Sequence, residues 1–289
     1  MQAFRRRVAW RIASAALPLA LLAAALSWLL VRAQDGVAAA ALSAVAVVLL
    51  ATLLCAGALY RFVLELSEEH RRKAQEVLES HISMMEALGR AIAKRDSDNG
   101  THNFRVAWIS AALGEAMGLT GSKMQELIAG AFLHDAGKIG IPDAILLKPG
   151  KLTPEEMAIM CSHVAMGEEI VTGAGWLEGG KAVVACHHEK WDGSGYPRQL
   201  AGEAIPLVAR IFAIADVFDA LCSRRPYKEP FPVELAMEIL HQSAGTHFDP
   251  SLILEFTHLS KHIHATVMNA SEDQARALME TMVRKHFAA

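Results

Sequence analysis

Hydrophobic positions fall along this chain in three regimes. Residues 12–31, IASAALPLALLAAALSWLLV, and 37–60, VAAAALSAVAVVLLATLLCAGALY, carry no charged side chain. Each run is long enough to cross a hydrocarbon core, which takes ~20 helical residues. Only RAQDG lies between them, so residues 1–64 are predicted to form a two-helix transmembrane hairpin with a tight turn. The second regime, 65–93, is a linker helix without proline. Leu78, Ile82, Met85, Leu88 and Ile92 recur at spacings of three and four and make one apolar face. That face predicts either a helix packed on its own domain or a parallel homodimer seam. Glu68/Arg72 and Glu69/Lys73 are i,i+4 pairs in the favourable order.

From Thr101 onward the pattern stays helical, with irregular stretches at 139–152, 189–205 and 223–232. Helix starts are marked by cap residues. Ser122 with Gln125 and Ser271 with Gln274 read as capping boxes, Thr153-Pro154 and Asp249-Pro250 as an N-cap followed by proline at N1, and Pro206 as another N1 proline. No alternating strand pattern and no internal repeat is present. The fold class is all-α.

Charge adds orientation. Arg5, Arg6, Arg7 and Arg11 precede the first apolar run, and Arg61, Arg71, Arg72 and Lys73 follow the second, against Arg32 alone in the turn. The positive-inside rule places both termini and the helical domain in the cytoplasm, on a two-pass protein of the inner membrane. A cleaved signal peptide is the rival for the first run, which exceeds the ~7–15 residues of a signal's hydrophobic region. Cys55, Cys161, Cys186 and Cys222 lack CxxC spacing and are expected as thiols. A net charge of −3, with no basic block beyond the membrane flanks, argues against nucleic acid as a partner.

Candidate chemistry lies in polar residues set into apolar helices. His134-Asp135 ends LIAGAFLHD, and Asp216 interrupts RIFAIADVFDAL. A carboxylate in such a run is costly unless something compensates it, and a metal ion would. His163 and His187-His188 stand between them, and RDSDNGTH supplies Asp96, Asp98 and His102 upstream. Nitrogen and carboxylate donors without thiolate suit iron or manganese, with zinc and nickel as alternatives. The donors outnumber the needs of one ion, which points to two divalent metals.

These residues, in this order, resemble the HD-GYP branch of the HD phosphohydrolases: LHDAGKIGIPDAILLKPGKLTPEE, HHEKWDGSGYP and RIFAIADVFDALCSRRPYK match in order and spacing over roughly residues 94–257. The resemblance implies a catalytic domain over 94–260, followed by a helical extension, 261–289. It also implies phosphodiester hydrolysis of cyclic di-GMP to pGpG or GMP. It makes His134, Asp135, His163, His187, His188 and Asp216 metal ligands, with Asp135 bridging. His102 matches the histidine that serves a third metal in some members, where glutamate often stands at Asp98. Lys138, Arg225 and Lys228 look like phosphate contacts, Asp219 a support for them, and Asp96 a proton-transfer group. Asp192, Gly193 and Gly195 look like a turn passing close to the nucleotide, with Tyr196 beside guanine or packed on its own loop. A diguanylate cyclase or another signalling protein is the kind of partner implied. A cyclic di-GMP receptor without turnover and an HD hydrolase of another cyclic nucleotide are the alternatives.

Overall fold

The computed structural model describes residues 24, 25, 28, 37–95, 101–224 and 229–287. The described residues divide into two compact units, one ending at Gln75 and one beginning at Glu76. Helix α1 is Val37–Arg95. Within the first unit its apolar side chains are largely uncovered: Val48, Leu49, Leu53, Leu59 and Tyr60 are all exposed. Among the described residues this is one helix long and apolar enough to cross a membrane. The first apolar run and the turn after it lie outside the described residues, apart from 24, 25 and 28, so the hairpin is not shown.

The second unit is built from helices only, with no strand among the described residues beyond isolated bridges. It comprises the last turns of α1, then α2 (Thr101–Ala116), α3 (Gly121–Leu133), α4 (Asp143–Leu146), α5 (Pro154–Cys161), α6 (His163–Val171), α7 (Lys181–Cys186), α8 (Leu207–Cys222), α9 (Val233–Gln242), α10 (Pro250–Ile263) and α11 (Glu272–Phe287). A single large core gathers Ile109, Leu113, Leu127, Ile128, Phe212, Phe218 and Phe256 from α2, α3, α8 and α10. Ile263, Val267, Ala275, Met279 and Val283 join that core, so the described part of the extension, 261–287, packs as part of the same unit.

Several starts form as their sequence predicts. Thr153 and Glu156 make a reciprocal capping box at α5, Asp249 accepts from Ser251 N at α10, and Ser271 and Gln274 exchange bonds at α11. Pro206 is the N-cap of α8 rather than its first residue. Ser122 does not cap α3: the helix begins at Gly121 behind Thr120. The Gln125 side chain donates instead to the His286 carbonyl at 3.0 Å, tying α3 to α11. The apolar face of α1 divides: Ile92 is buried and Ile82 half-buried against the core, while Leu88 is exposed. The side chains of Leu78 and Met85 lie outside what is described.

Candidate metal centre

The site is assembled from helix ends. His134 is the C-cap of α3, where the chain leaves α-geometry and runs through Asp135 into a 3-10 turn, Ala136–Gly140. His163 opens α6, His187 closes α7, and His102 lies in the first turn of α2. Asp216 projects from the middle of α8. What lets α6 approach the 3-10 turn is Gly137: a Cβ there would meet the His163 carbonyl oxygen at 1.8 Å and Gly167 N at 2.4 Å. No larger residue fits, and this close passage sets His163 beside Asp135.

Three imidazoles are locked the same way. Nδ1 of His134 bonds the Ala131 carbonyl at 2.8 Å, Nδ1 of His163 the Met160 carbonyl at 2.7 Å, and Nδ1 of His187 the Val184 carbonyl at 2.9 Å. A carbonyl only accepts, so each Nδ1 carries the proton and each Nε2 presents a lone pair. Two of those lone pairs, on His163 and His187, face each other at 3.3 Å. Neutral imidazoles so placed have no proton to share, and a cation between them satisfies both. Burial lowers the pKa of His163 and of His187, the latter well below its ordinary value, and it lowers His188 to about 3, helped by the neighbouring His163. These rings therefore stay available as metal donors.

The donor atoms form two groups, His163–His187–His188 and His102–His134–Asp216, each with its atoms within 4.8 Å of one another. Asp135 joins them. Its Oδ1 lies 3.6 Å from His163 Nε2 in the first group, and its Oδ2 lies 3.0 Å from His134 Nε2 in the second. Burial would raise the Asp135 carboxyl, but the neighbouring His134 and Lys138 outweigh it and hold it well below the ordinary carboxylate range. It stands as a bridging anion between two cation-sized groups of donors. The donor set therefore fits two divalent metals, and it brings His102 in with His134 and Asp216.

Lys138 lies one 3-10 turn after Asp135, its Nζ 2.8 Å from Asp135 Oδ2. Asp219 departs from expectation. It has 0% exposure, beneath His102, and accepts from His102 Nδ1 at 2.8 Å and from Arg105, so it braces a candidate ligand and is closed to substrate. Gly195 is likewise turned inward: a Cβ would meet Lys190 N at 2.4 Å and the Glu189 Cα at 2.5 Å, so it serves the folding of its own loop. Gly193 adopts φ +82°, closing a turn in which Asp192 Oδ1 accepts from Ser194 N. Glu189, buried, accepts from Arg198 N and Leu200 N and pins the loop over 189–200. Tyr196 stacks on His188, with centroids 4.7 Å apart at 27°, and burial raises its hydroxyl pKa. One face of its ring is thus already committed to loop packing. Asp96, Asp98, Arg225 and Lys228 lie outside the described residues. Arg105 is the residue sequence reading missed. Its signal was a lone cation three residues after His102, inside the apolar run NFRVAWISAAL.

A family model described as an HD domain matches residues 86–252, more than half of the chain. The chain belongs to the HD-domain family. This HD domain is 43% identical over 182 residues to a protein of Thermotoga maritima named cyclic di-GMP phosphodiesterase, covering 62% of this chain and 50% of that one. It is also 43% identical to the cyclic di-GMP phosphodiesterase response regulator RpfG of Xanthomonas campestris (65% and 51% covered), and 41% identical to the 3'3'-cGAMP-specific phosphodiesterase 2 of Vibrio cholerae (68% and 38%). The chain thus spans about half the length of these curated relatives, or less. A crystal structure of a cyclic GMP-AMP-specific phosphodiesterase from V. cholerae superposes with a TM-score of 0.55 at 21% identity, over 68% of this chain and 53% of that one, which shows a shared fold.

Proposed function

We propose that this chain is a membrane-tethered, metal-dependent phosphodiesterase that opens cyclic di-GMP to linear pGpG and, by a second cleavage, GMP. The observation that carries the reading is the bridged pair of donor groups: two sets of nitrogen and carboxylate donors with Asp135 between them and Lys138 at its side. Divalent cations held there, Fe or Mn by the donor chemistry with Zn or Ni as alternatives, supply Lewis acidity for attack of water on phosphorus.

The chain's own residues have separate tasks. His134, Asp135, His163, His187, His188, Asp216 and His102 hold the cations. Lys138 neutralises charge on the phosphate, with Arg225 and Lys228 as further anion contacts. The stack of Tyr196 on His188 fixes the loop beside the site. Curated relatives of similar identity are named for cyclic di-GMP and for 3'3'-cGAMP, so the substrate class is a cyclic dinucleotide and cyclic di-GMP is the expected member.

The exposed apolar stretch of α1 supports insertion in the inner membrane. Together with the basic flanks it supports a cytoplasmic position for the HD domain. Val77, Met84 and Leu88 of α1 are exposed apolar residues of the second unit and support a homodimer contact through this helix.

The test is incubation of the detergent-solubilised chain, loaded with Mn(II) or Fe(II), with cyclic di-GMP and with 3'3'-cGAMP, followed by quantitation of linear products. Cyclic di-GMP cleaved faster than 3'3'-cGAMP is the expected result. Both nucleotides left intact by a metal-loaded chain would favour a receptor that signals by binding.

A further inference from the structure

Beneath the donor groups lies a charged pair with no part in the reaction just proposed. Arg105 on α2 and Asp219 on α8 stand 114 positions apart in sequence, with side-chain exposures of 11% and 1%. Arg105 grips the carboxylate with both faces of its fork, Nε to Oδ1 and Nη2 to Oδ2, the latter at 3.0 Å. The same Oδ2 accepts Nδ1–H of His102 at 2.8 Å. The far nitrogen of that ring, Nε2, lies 3.5 Å from Asp216 Oδ1. Helix α8 therefore addresses both nitrogens of one imidazole with two carboxylates an i,i+3 step apart, on one face.

This anchoring differs from that of its neighbours. His134, His163 and His187 are held by neutral backbone carbonyls, whereas His102 is held by a carboxylate. A carbonyl orients the ring; a carboxylate orients it and also makes the opposite nitrogen a stronger donor. The buried carboxylate needs compensation, and Arg105 supplies it in the bidentate geometry that lysine lacks.

We propose that Arg105 is a positioning residue for one of the two cation positions. By clamping Asp219 it sets the orientation and donor strength of His102, and so the affinity of the His102–His134–Asp216 position relative to His163–His187–His188. The inference rests on the metal reading above.

The test is calorimetric titration of the metal-free full chain in detergent with Mn(II), with bound metal counted after gel filtration. Wild type is expected to take up two Mn(II). In Arg105→Gln one position keeps its affinity and the other weakens roughly 10- to 100-fold, the size of effect that outer partners of metal ligands have. Arg105→Lys restores part of that loss. Because Arg105→Gln strands a buried carboxylate and can fail to fold, the double variant Arg105→Gln/Asp219→Asn, which leaves a neutral pair, is measured beside it and is expected to show the same selective weakening. Arg210→Gln breaks a comparably buried pair with Asp249 elsewhere on α8. It is expected to lower the melting temperature and leave both Mn(II) affinities unchanged. Two Mn(II) bound with wild-type affinities by the double variant would overturn this inference alone. Wild type that binds no Mn(II) would overturn the metal reading with it.

Discussion

Two apolar helical runs of this chain meet opposite surroundings. Between Val45 and Tyr60, α1 has no charged residue and leaves Val48, Leu53 and Leu59 exposed. Helix α8 is as apolar, and its Ile211, Phe212, Ile214 and Phe218 are wholly buried, yet it carries Asp216 and Asp219 in the same stretch. An uninterrupted run asks only for an apolar medium, which the proposed membrane provides. An interrupted one must find partners for each carboxylate. In α8 those partners are His102 on one side and the Arg105–His102 pair on the other. A lone charge inside a buried apolar helix is therefore a better pointer to a site than any amount of hydrophobicity around it.

Removing the interruption is the severest way to break this contrast. Asp216→Ala, or His134→Ala with Asp135→Ala, is expected to lower cyclic di-GMP turnover at least about 1,000-fold while helical content holds. That is the several kcal/mol that metal activation contributes. Product formation at a wild-type rate by the double variant would show that the bridged groups are not the site.

Adding an interruption to α1 is the converse. Leu53→Arg, at the middle of the exposed run, is expected to cost about 3 kcal/mol of apparent insertion free energy. A translocon insertion assay on the segment reads this directly, with Leu53→Ala as the near-neutral control. An unchanged inserted fraction would mean that this run is not a membrane span.

Much of the site was legible because its residue types are expensive where they stand. His134, Asp135, His163, His187, His188 and Asp216 were readable as one ligand set through the family resemblance that their order carries, and the structure brings them together. The caps at Thr153, Asp249 and Ser271 were legible because they use residues two or three positions away. What escaped depends on contacts across the fold. The bracing role of Asp219 needs His102, 117 positions away, and Ser122 lost its expected cap to a helix start two residues earlier, while Gln125 went to a carbonyl 161 positions away. Gly195 looked like a ligand-facing residue because the sequence does not say which side of a loop faces its own backbone.

A finer test concerns how the ligand-bearing helices meet. Gly137→Ala puts a methyl 1.8 Å from the His163 carbonyl. Backbone must give way, at about 3 kcal/mol, the upper end of the usual cost of overpacking. Because the displaced residue is His163, metal content should fall together with the melting temperature. A variant that loses stability but keeps full metal content would show that the first donor group tolerates a looser approach of α6.

The smallest expected effect separates buried nitrogen from buried carbon in the metal-free chain. Burial, helped by the neighbouring His163, holds His188 at about 3 in the folded state, against about 6.5 when unfolded. The folded chain therefore binds fewer protons than the unfolded chain between those values. Stability is complete above pH 6.5 and declines as pH falls towards 3. From pH 6.5 to 5 the loss is about 2 kcal/mol for this group, at 1.36 kcal/mol per unit. Denaturant unfolding of the chelator-treated chain at pH 7 and pH 5 measures it, and His188→Gln should remove most of the difference that this residue contributes. A bound divalent cation should suppress the same loss at pH 5, because it holds the ring neutral by coordination where the empty site can only do so by burial. If acid instability is equal with and without metal, His188 is not a ligand, and its low pKa records burial alone.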